Sequence, residues 1–261
     1  MTTTEAYLRL ASARAGRRPC PPIRDLLPVG DVDAAYRVQS TWLSERIAAG
    51  SSVVGRKIGL TNPVVREQLG VDQPDFGFLL DDMVCPEGLP VDITRTLQPK
   101  IEAEIAFVLA HDLTEDEIGP AEVAAATDHV VAALEVVDSR IEGWDIGILD
   151  TVADNASSGL FVLGSGPVPL DGLDLAACTM TMSRDDEVVS TGTGADCLGD
   201  PLLAVAWLAA TARDRGRPLR RGEVVLSGAL GPMVPVIPGD RFRAEISGLG
   251  DVAALFTGGR S

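Results

Sequence analysis

Three glutamates on two predicted strands are the residues of this sequence best placed to do chemistry. Glu102 and Glu104 lie in the stretch PKIEAEIAFVL, residues 99–109, whose alternate residues form an unbroken apolar face. The two carboxylates then share the opposite face, about 7 Å apart. The solvated outer face of an edge strand is the ordinary explanation of such a pair.

The third glutamate weakens that explanation. Glu135 is the one charged residue in the run VVAALEVV, residues 130–137, and a strand that is apolar on both faces is normally buried on both. An unpaired ionised carboxylate is costly there, and no Lys or Arg lies within the run. A divalent cation shared by Glu102, Glu104 and Glu135 would satisfy all three carboxylates.

The ligand types narrow the choice of cation. All-oxygen ligation favours Mg²⁺ or Mn²⁺ over zinc or copper, which prefer nitrogen and sulfur. The sequence has only 2 histidines, and its 4 cysteines stand far apart with no C-x-x-C pair. Cysteines in this pattern are typical of reduced thiols in a cytoplasmic protein. We therefore expect a Mg²⁺ or Mn²⁺ site in a cytoplasmic protein.

Composition excludes several classes of partner. The chain has 261 residues, with 22 Lys plus Arg against 38 Asp plus Glu, for a net charge of −16. This balance argues against nucleic acid or an anionic membrane as a partner, because both need a positive surface. The longest apolar run, residues 202–210, is far shorter than the ~20 residues of a membrane-spanning helix. The charged N-terminal residues also do not resemble a signal peptide.

The elements that must position the glutamates indicate an α+β fold. We expect an N-terminal helical part, residues 1–52, and a β-rich catalytic part, residues 53–261, that fold as one cooperative unit. Periodicity and capping residues predict helices over 4–15, 31–49, 63–70 and 201–212. Alternating or apolar runs predict strands over 53–55, 100–109, 130–137, 160–163, 188–190, 224–226, 233–237 and 242–246.

Six short motifs occur in an order that is found in a known family. They are GRKIGL (55–60), LGVDQPDFG (69–77), KIEAEIA (100–106), LEVVDSRI (134–141), DTVADNAS (150–157) and SGALGP (227–232). Over residues 35–256 the sequence resembles the 2-keto-4-pentenoate hydratase family of the fumarylacetoacetate hydrolase superfamily. The resemblance implies a mixed β-sandwich or β-roll core with a small helical N-terminal part. It also implies Mg²⁺ or Mn²⁺ on Glu102, Glu104 and Glu135, and a homo-oligomer.

The family's reaction determines which further residues to look for. The resemblance implies that water is added to 2-hydroxypenta-2,4-dienoate to give 4-hydroxy-2-oxopentanoate, a step in aromatic-ring degradation. The metal would act as a Lewis acid on the substrate, and both proton transfers need general acid and base groups. Lys57 and Asp75 are the candidates, since both lie in family motifs. A surface lysine and a turn-capping aspartate are the respective alternatives.

Five more residues are candidates for binding the substrate. Arg140 could lie near the substrate carboxylate, although a structural salt bridge is an equally good explanation. Ser157 could donate a hydrogen bond to the substrate or only close a turn. Gly228, Ala229 and Leu230 could direct backbone N–H groups at an anion, and a plain turn between strands is the alternative.

Three other functions compete with hydration. The nearest is metal-dependent decarboxylation of a 2-oxo-hexenedioate such as 4-oxalocrotonate, which resembles hydration in metal and enol chemistry. Carbon–carbon hydrolysis of acylpyruvates is disfavoured, because those relatives use a histidine upstream of the metal glutamates and the first histidine here is His111. A non-catalytic subunit of a pathway enzyme is disfavoured because all three glutamates are present, although association with such an enzyme is conceivable in this family.

Overall fold

The computed structural model of the chain describes residues 3–62 and 73–258. The α-helices in this part of the chain are α1 (Thr3–Gly16), α2 (Val32–Ala48), α3 (Pro120–Ala126), α4 (Ile148–Ala153) and α5 (Pro201–Asp214). The first strands are β1 (Val53–Gly59), β2 (Asp75–Leu80), β3 (Val91–Asp92), β4 (Pro99–Leu109), β5 (Thr127–Asp138) and β6 (Ser158–Leu163). They are followed by β7 (Thr179–Arg184), β8 (Glu187–Thr193), β9 (Val224–Leu226), β10 (Val234–Pro235), β11 (Arg241–Ile246) and β12 (Gly250–Thr257).

These strands form two sheets that pack on one another. The larger has the order β2-β1-β9-β4-β5-β6, with β10 also paired to β4, and the smaller has the order β3-β12-β11-β7-β8. The β1–β9 and β3–β12 pairs are parallel, and the remaining pairs are antiparallel. Strands β11 and β12 of the smaller sheet contact β5 of the larger one. The expected α+β fold class with a mixed β core is confirmed.

Strands β4 and β5 form the centre of the larger sheet and carry the three glutamates. The register places Glu102 directly opposite Glu135, with Glu104 opposite Ala133. The predicted apolar face of β4 is buried, with Ile101 and Ile105 both fully inaccessible. Because side chains alternate along a strand, the three glutamates project from the same face of the sheet.

Helices α1 and α2 pack against each other and against the body of the protein. Asp31 caps α2 by accepting a hydrogen bond from the Ala34 N–H at 2.8 Å, as its position before the helix predicts. Gln39 of α2 donates from Nε2 to the carbonyl oxygens of Phe76 in β2 (2.8 Å) and Val152 in α4 (3.2 Å). The N-terminal helices are thereby joined to the strand and the helix that border the candidate site.

Some elements differ from the expectation. The helix predicted over 63–70 lies outside the described residues. The sequence patterns do not predict β2, β7, β12, α3 or α4. Strand β12 (GDVAALFT) contains two alanines and begins with Gly-Asp, which are residues of low strand propensity. Helix α4 has only six residues, too few for periodicity to reveal.

Within residues 3–62 and 73–258, one segment satisfies the length and composition of a membrane span. Residues 194–214, a turn followed by α5, have a hydropathy of 1.2, and 44% of the apolar window is buried inside the protein. The α-helix itself has 14 residues, fewer than the ~20 that a span requires. Its Val205 and Leu208 are completely buried, as in the core helix of a globular fold.

Candidate active site

The three glutamates converge on one point of the larger sheet. One carboxylate oxygen each of Glu102, Glu104 and Glu135 lies within 4.8 Å of the other two. Glu104 and Glu135 are buried, with exposed fractions of 0% and 1%. The edge-strand explanation is therefore wrong, because β4 is an interior strand flanked by β5 and β9.

The carboxylates of Glu104 and Glu135 are only partly satisfied within the protein. Glu104 Oε1 and Glu135 Oε1 are buried and have no hydrogen-bond partner among the described residues. Burial raises the pKa of Glu102 to about 7, while burial and the neighbouring carboxylates raise the pKa of Glu104 well above its usual value. Converging all-oxygen donors with free lone pairs fit a divalent cation of the Mg²⁺ type.

Lys57 lies beside these carboxylates. Its Nζ is 3.3 Å from Glu135 Oε2 and donates a hydrogen bond to the Ala156 carbonyl oxygen at 3.0 Å. Burial alone would lower the pKa of this lysine, but attraction to Glu135 and Asp75 outweighs burial and raises it. The structure thus contradicts the surface-lysine alternative, since Lys57 is only 3% exposed.

Asp75 is the neighbour of Lys57 on the next strand. The β1–β2 register pairs Lys57 with Gly77 and Gly59 with Asp75, which puts both charged side chains on one face. A Cβ at Gly59 would lie 2.2 Å from Asp75 Oδ1, so only glycine allows this approach. Burial raises the pKa of Asp75 although Lys57 opposes the rise. Asp75 begins a strand rather than capping a turn.

A strained turn borders the site on another side. Asn155, Ala156 and Ser157 have consecutive φ values of 58°, 52° and 53°, a region that costs non-glycine residues about 1–3 kcal/mol each. Asn155 stabilises the turn by bonding to the Phe78 backbone at both N–H (2.8 Å) and C=O (2.9 Å). The turn presents the Ala156 carbonyl to Lys57 and leaves Ser157 Oγ buried without a hydrogen-bond partner among the described residues.

Two polar residues just before this turn, Asp150 and Thr151, form hydrogen bonds to distant segments of the chain. Thr151 Oγ1 donates to Asp75 Oδ2 at 2.8 Å. Asp150 Oδ1 accepts from the backbone N–H groups of Ile23 (2.7 Å) and Arg24 (2.9 Å). Thr151 and Asp150 were not among the candidate residues, although both lie in the DTVADNAS motif. Membership of a motif was the only sequence signal for them, because their partners are distant in the chain.

The segment after β9 contacts the glutamates directly. The Gly228 N–H donates to Glu104 Oε2 at 2.7 Å, and the Leu230 N–H donates to the Ala103 carbonyl at 3.0 Å. The expectation that the N–H groups of Gly228 and Leu230 bind a substrate anion is corrected, because both are engaged within the protein. The anion that the Gly228 N–H binds is the carboxylate of Glu104. Ala229, between them, is partly exposed.

Arg140 belongs to a different network. Its Nε donates to Asp154 Oδ1 at 2.6 Å and its Nη1 to the Ser158 carbonyl at 3.0 Å, with Asp138 Oδ2 3.4 Å away. Asp138 lies three positions after Glu135 on β5, so the two carboxylates are on opposite faces of the sheet. The structure therefore supports the salt-bridge alternative for Arg140 rather than a position near the substrate.

Two further side chains near Glu104, those of Ser227 and Cys197, were not among the candidates predicted from the sequence. Ser227 Oγ is buried without a hydrogen-bond partner among the described residues, next to Gly228. The Cys197 Sγ donates to the Ser227 carbonyl at 3.0 Å, and burial raises the pKa of this thiol to about 12. Ser227 begins the SGALGP motif, whereas no pattern in the sequence singles out Cys197.

Comparisons with known proteins agree with this geometry. Residues 55–256 match the family described as "Fumarylacetoacetate (FAA) hydrolase C-terminal". The chain is 55% identical to a 2-keto-4-pentenoate hydratase of Burkholderia vietnamiensis, with 95% of each chain covered. It is 52% identical to 2-keto-4-pentenoate hydratase 1 of Dechloromonas aromatica, with 98% of this chain and 97% of the relative covered.

A solved structure shares the whole architecture. The 4-oxalocrotonate decarboxylase of Pseudomonas putida G7, complexed with magnesium and adipate, superposes with a TM-score of 0.92 at 35% identity and covers 97% of each chain. The match includes the N-terminal helices, which lie outside the part of the chain that the family profile matches. Its sequence, its fold and its relatives along nearly the full length place this chain in the fumarylacetoacetate hydrolase family, among proteins of the 2-keto-4-pentenoate hydratase type.

Proposed function

We propose that the protein is a metal-dependent hydratase that adds water to 2-hydroxypenta-2,4-dienoate and yields 4-hydroxy-2-oxopentanoate. One observation carries the proposal: a buried cluster of three glutamates, with Lys57 and Asp75 beside it, lies in a chain that is 55% identical to a 2-keto-4-pentenoate hydratase. Hydration needs a cation and groups that move protons, and this cluster offers both.

Glu102, Glu104 and Glu135 would hold Mg²⁺ or Mn²⁺. The metal would supply Lewis acidity toward the carboxylate and the 2-oxygen of the substrate. The Gly228 N–H fixes the position of Glu104, and Lys57 holds Glu135 from the other side. These contacts orient the ligands before any cation arrives, which is the usual task of groups around a metal site.

Lys57 and Asp75 have different roles in the reaction because their surroundings differ. The raised pKa of Lys57 keeps its ammonium charged at neutral pH, so it donates hydrogen bonds and attracts the anionic substrate. The raised pKa of Asp75 suits a carboxyl group that takes up and releases protons. In the first step the dienol loses its hydroxyl proton and carbon 5 gains a proton. In the second step water adds across the double bond, with its oxygen on carbon 4 and a proton on carbon 3. We assign these transfers to Asp75.

Two serines complete the polar lining. Ser157 Oγ and Ser227 Oγ are buried hydroxyl groups without partners among the described residues. A buried hydroxyl without a partner is costly, so such groups are usually there for a ligand or an ordered water. We propose that these hydroxyls bind the substrate or the water that is added. They take the place of the backbone N–H groups that the sequence suggested.

The decarboxylase function is the nearest alternative. The decarboxylase structure has the same fold, but its 35% identity is lower than the 52% and 55% of the hydratases. A second substrate carboxylate would need a cation in addition to Lys57. Arg140, the arginine that the sequence suggested, is bound to Asp154 on the other face of the sheet. Hydration is therefore the better supported function.

The decisive experiment follows the ultraviolet absorbance of freshly generated 2-hydroxypenta-2,4-dienoate. Chelator-treated protein should be inactive, and Mg²⁺ or Mn²⁺ should restore conversion to 4-hydroxy-2-oxopentanoate. Glu104→Gln should abolish the conversion, whereas the exposed Glu187→Gln should not change it. Turnover of 4-oxalocrotonate instead would assign the decarboxylase function. Failure with both substrates would refute the proposed substrate class and favour a non-catalytic subunit.

We also infer a cytoplasmic homo-oligomer. All four cysteines are free and buried, as in proteins from a reducing compartment. Several large apolar side chains are exposed, including Ile47, Leu203 and Ile237. Sedimentation velocity of the purified protein should show a species larger than the 27.4 kDa chain, and co-purification would test for an associated pathway enzyme.

A further inference from the structure

A cavity lies on the face of the larger sheet that is opposite the three glutamates. Its volume is about 220 Å³, and Leu160 and Asp138 are among its lining residues. Leu160 pairs with Val136, the neighbour of Glu135 on β5, so its side chain projects away from the glutamate face. The cavity is smaller than the ~300–1,000 Å³ of sites for drug-sized ligands.

Arginines dominate the lining of this cavity. Five guanidinium groups line it, those of Arg14, Arg17, Arg46, Arg95 and Arg140. The carboxylates that line it or interact with these arginines are those of Asp82, Asp92, Asp138 and Asp154. Five positive charges against four negative ones leave a local excess of one, in a chain whose net charge is −16. Such a local reversal of sign attracts anions.

Several of these donors lack a strong partner. Arg14 Nη1 is buried and has no hydrogen-bond partner among the described residues. Arg17 donates to the Thr96 carbonyl at 3.3 Å, and Arg95 donates to the Asp82 carbonyl and toward Cys85 Sγ. Within the described residues, Arg17 and Arg95 form no direct ion pair with a carboxylate. Both are exposed, and their charges act at longer range on Asp92, whose pKa is lowered by hydrogen bonds from Thr94 and by these two charges.

Some of the arginines are held in place in advance. The guanidinium groups of Arg14 and Arg46 lie 5.1 Å and 5.9 Å from the centre of the Trp42 ring. Arg140 is fixed by Asp154. Burial and the proximity of Arg140 lower the pKa of Arg14 to about 10, which leaves it charged at neutral pH. Because the arginines outnumber their carboxylate partners, holding these like charges together favours the binding of a further anion.

We propose that this arginine pocket, lined by Arg14, Arg17, Arg46, Arg95 and Arg140, binds a compact dianion of the phosphate or short dicarboxylate type. The planar donors of arginine match the oxygens of both groups. The volume accommodates one such anion and excludes a nucleotide. The site is separate from the proposed catalytic centre, and its occupancy does not depend on the metal.

Calorimetric titration of the chelator-treated full chain with inorganic phosphate tests the proposal. Ionic strength is held constant with chloride so that general screening does not change. We expect saturable binding at one site per chain. Arg17→Gln and Arg95→Gln should each weaken it about tenfold or more, because each removes a charge-assisted hydrogen bond. Arg221→Gln, an exposed residue outside the pocket with the same change of charge, should bind like the wild type.

A second titration distinguishes the two kinds of dianion. Malonate that displaces phosphate indicates a site that accepts dicarboxylates, and malonate that fails to displace it indicates a phosphate site. Absence of saturable phosphate binding overturns the proposal. Binding that is equal in wild type, Arg17→Gln and Arg95→Gln also overturns it. A lower sedimentation coefficient of these two variants, without phosphate binding by the wild type, would instead assign the pocket to contact with another copy of the chain.

Discussion

Lys57 is the residue on which the charge balance of the glutamate site depends. Among the described residues it is the one lysine or arginine that forms an ion pair with any of the three glutamates, and its ammonium lies 3.3 Å from Glu135 Oε2. Its neighbours on the same face of β1 are Gly55 and Gly59, and Gly59 leaves the space that Asp75 fills. Removing its charge would leave Glu135 buried and unpaired, which is a severe electrostatic cost.

Substitution of Lys57 by methionine should preserve its length and remove its charge. We expect kcat for hydration to fall roughly 10²- to 10³-fold, the range typical of a lost hydrogen-bond donor that stabilises developing negative charge. The control is Arg221→Met, which removes a positive charge at an exposed position. Steady-state kinetics of both variants checks the prediction, and equal losses would contradict it.

Glu102 makes the free energy of unfolding of the metal-free protein depend on pH. Burial raises the pKa of this carboxyl from 4.5 to about 7 in the folded state. Between these pH values the folded protein binds more protons than the unfolded chain, so this group's contribution to stability falls as pH rises. Glu102→Gln removes the titration. The free energy of unfolding of the wild type, relative to the variant, should therefore decrease from pH 4.5 to 7.

Urea unfolding of the two chelator-treated proteins at pH 5, 6 and 7 measures this difference. Glu187→Gln serves as the control, because Glu187 is exposed. A constant difference between wild type and Glu102→Gln across the range would show that Glu102 titrates as an ordinary surface carboxyl.

At the scale of elements, the segment from α4 to β6 brings the separate strands together at the site. Its Thr151 binds Asp75 of β2, its Asn155 binds the Phe78 backbone, and its Ala156 carbonyl binds Lys57 of β1. A helix of six residues followed by a left-handed turn has little intrinsic stability. Its conformation therefore depends on these tertiary contacts, and the contacts in turn set the positions of the reactive groups.

Thr151→Val tests the contact between α4 and β2. The change keeps the shape of the side chain and removes the hydroxyl that donates to Asp75 Oδ2. A carboxylate that loses a donor becomes easier to protonate, so the pKa of Asp75 should rise. The inflection of kcat/KM against pH that belongs to Asp75 should move upward in Thr151→Val. Thr151→Ser, which retains the hydroxyl, should restore the wild-type profile, and a pure loss of rate without any shift would contradict the assignment.

The sequence predicted elements well where local signals were strong. Strands β4 and β5 follow from alternation and apolarity, and α5 from its Asp200 cap and Pro201, with the Leu202 N–H bound to Asp200 Oδ1 at 2.8 Å. The role of Arg140 was ambiguous because its decisive partner, Asp154, lies 14 residues away on another element. Likewise, nothing local shows that the Gly228 N–H meets Glu104, a contact that exists only through the pairing of β4 with β9.

At the scale of the whole molecule, the N-terminal helices and the strands share one hydrophobic core. Leu10 of α1, Leu43 of α2 and Phe161 of β6 belong to the same buried cluster. Residues 1–52 and 53–261 therefore differ in secondary structure, but they pack around the same hydrophobic core. We continue to predict a single cooperative unfolding unit.

Metal binding should stabilise that unit as a whole. A ligand at 100 times its Kd adds about 2.7 kcal/mol, which raises Tm by roughly 5–10 °C in a domain of this size. Calorimetry of the wild type with and without Mg²⁺ should show one transition that moves upward, and Glu104→Gln should not respond. Two separate transitions would contradict a single unit, and an equal response of Glu104→Gln would contradict the assignment of the ligands.

The position of β9 has a consequence for the synthesis of the protein. In space β9 lies between β1 and β4, yet it is synthesised after both, and the N–H of Gly228, two residues after β9, binds Glu104. During translation, the glutamates of β4 and β5 leave the ribosome first. The site around them is incomplete until residue 228 has also emerged. Pairings between distant segments form slowly. Competence to retain a cation therefore arises only well after translation of the strands that carry its ligands.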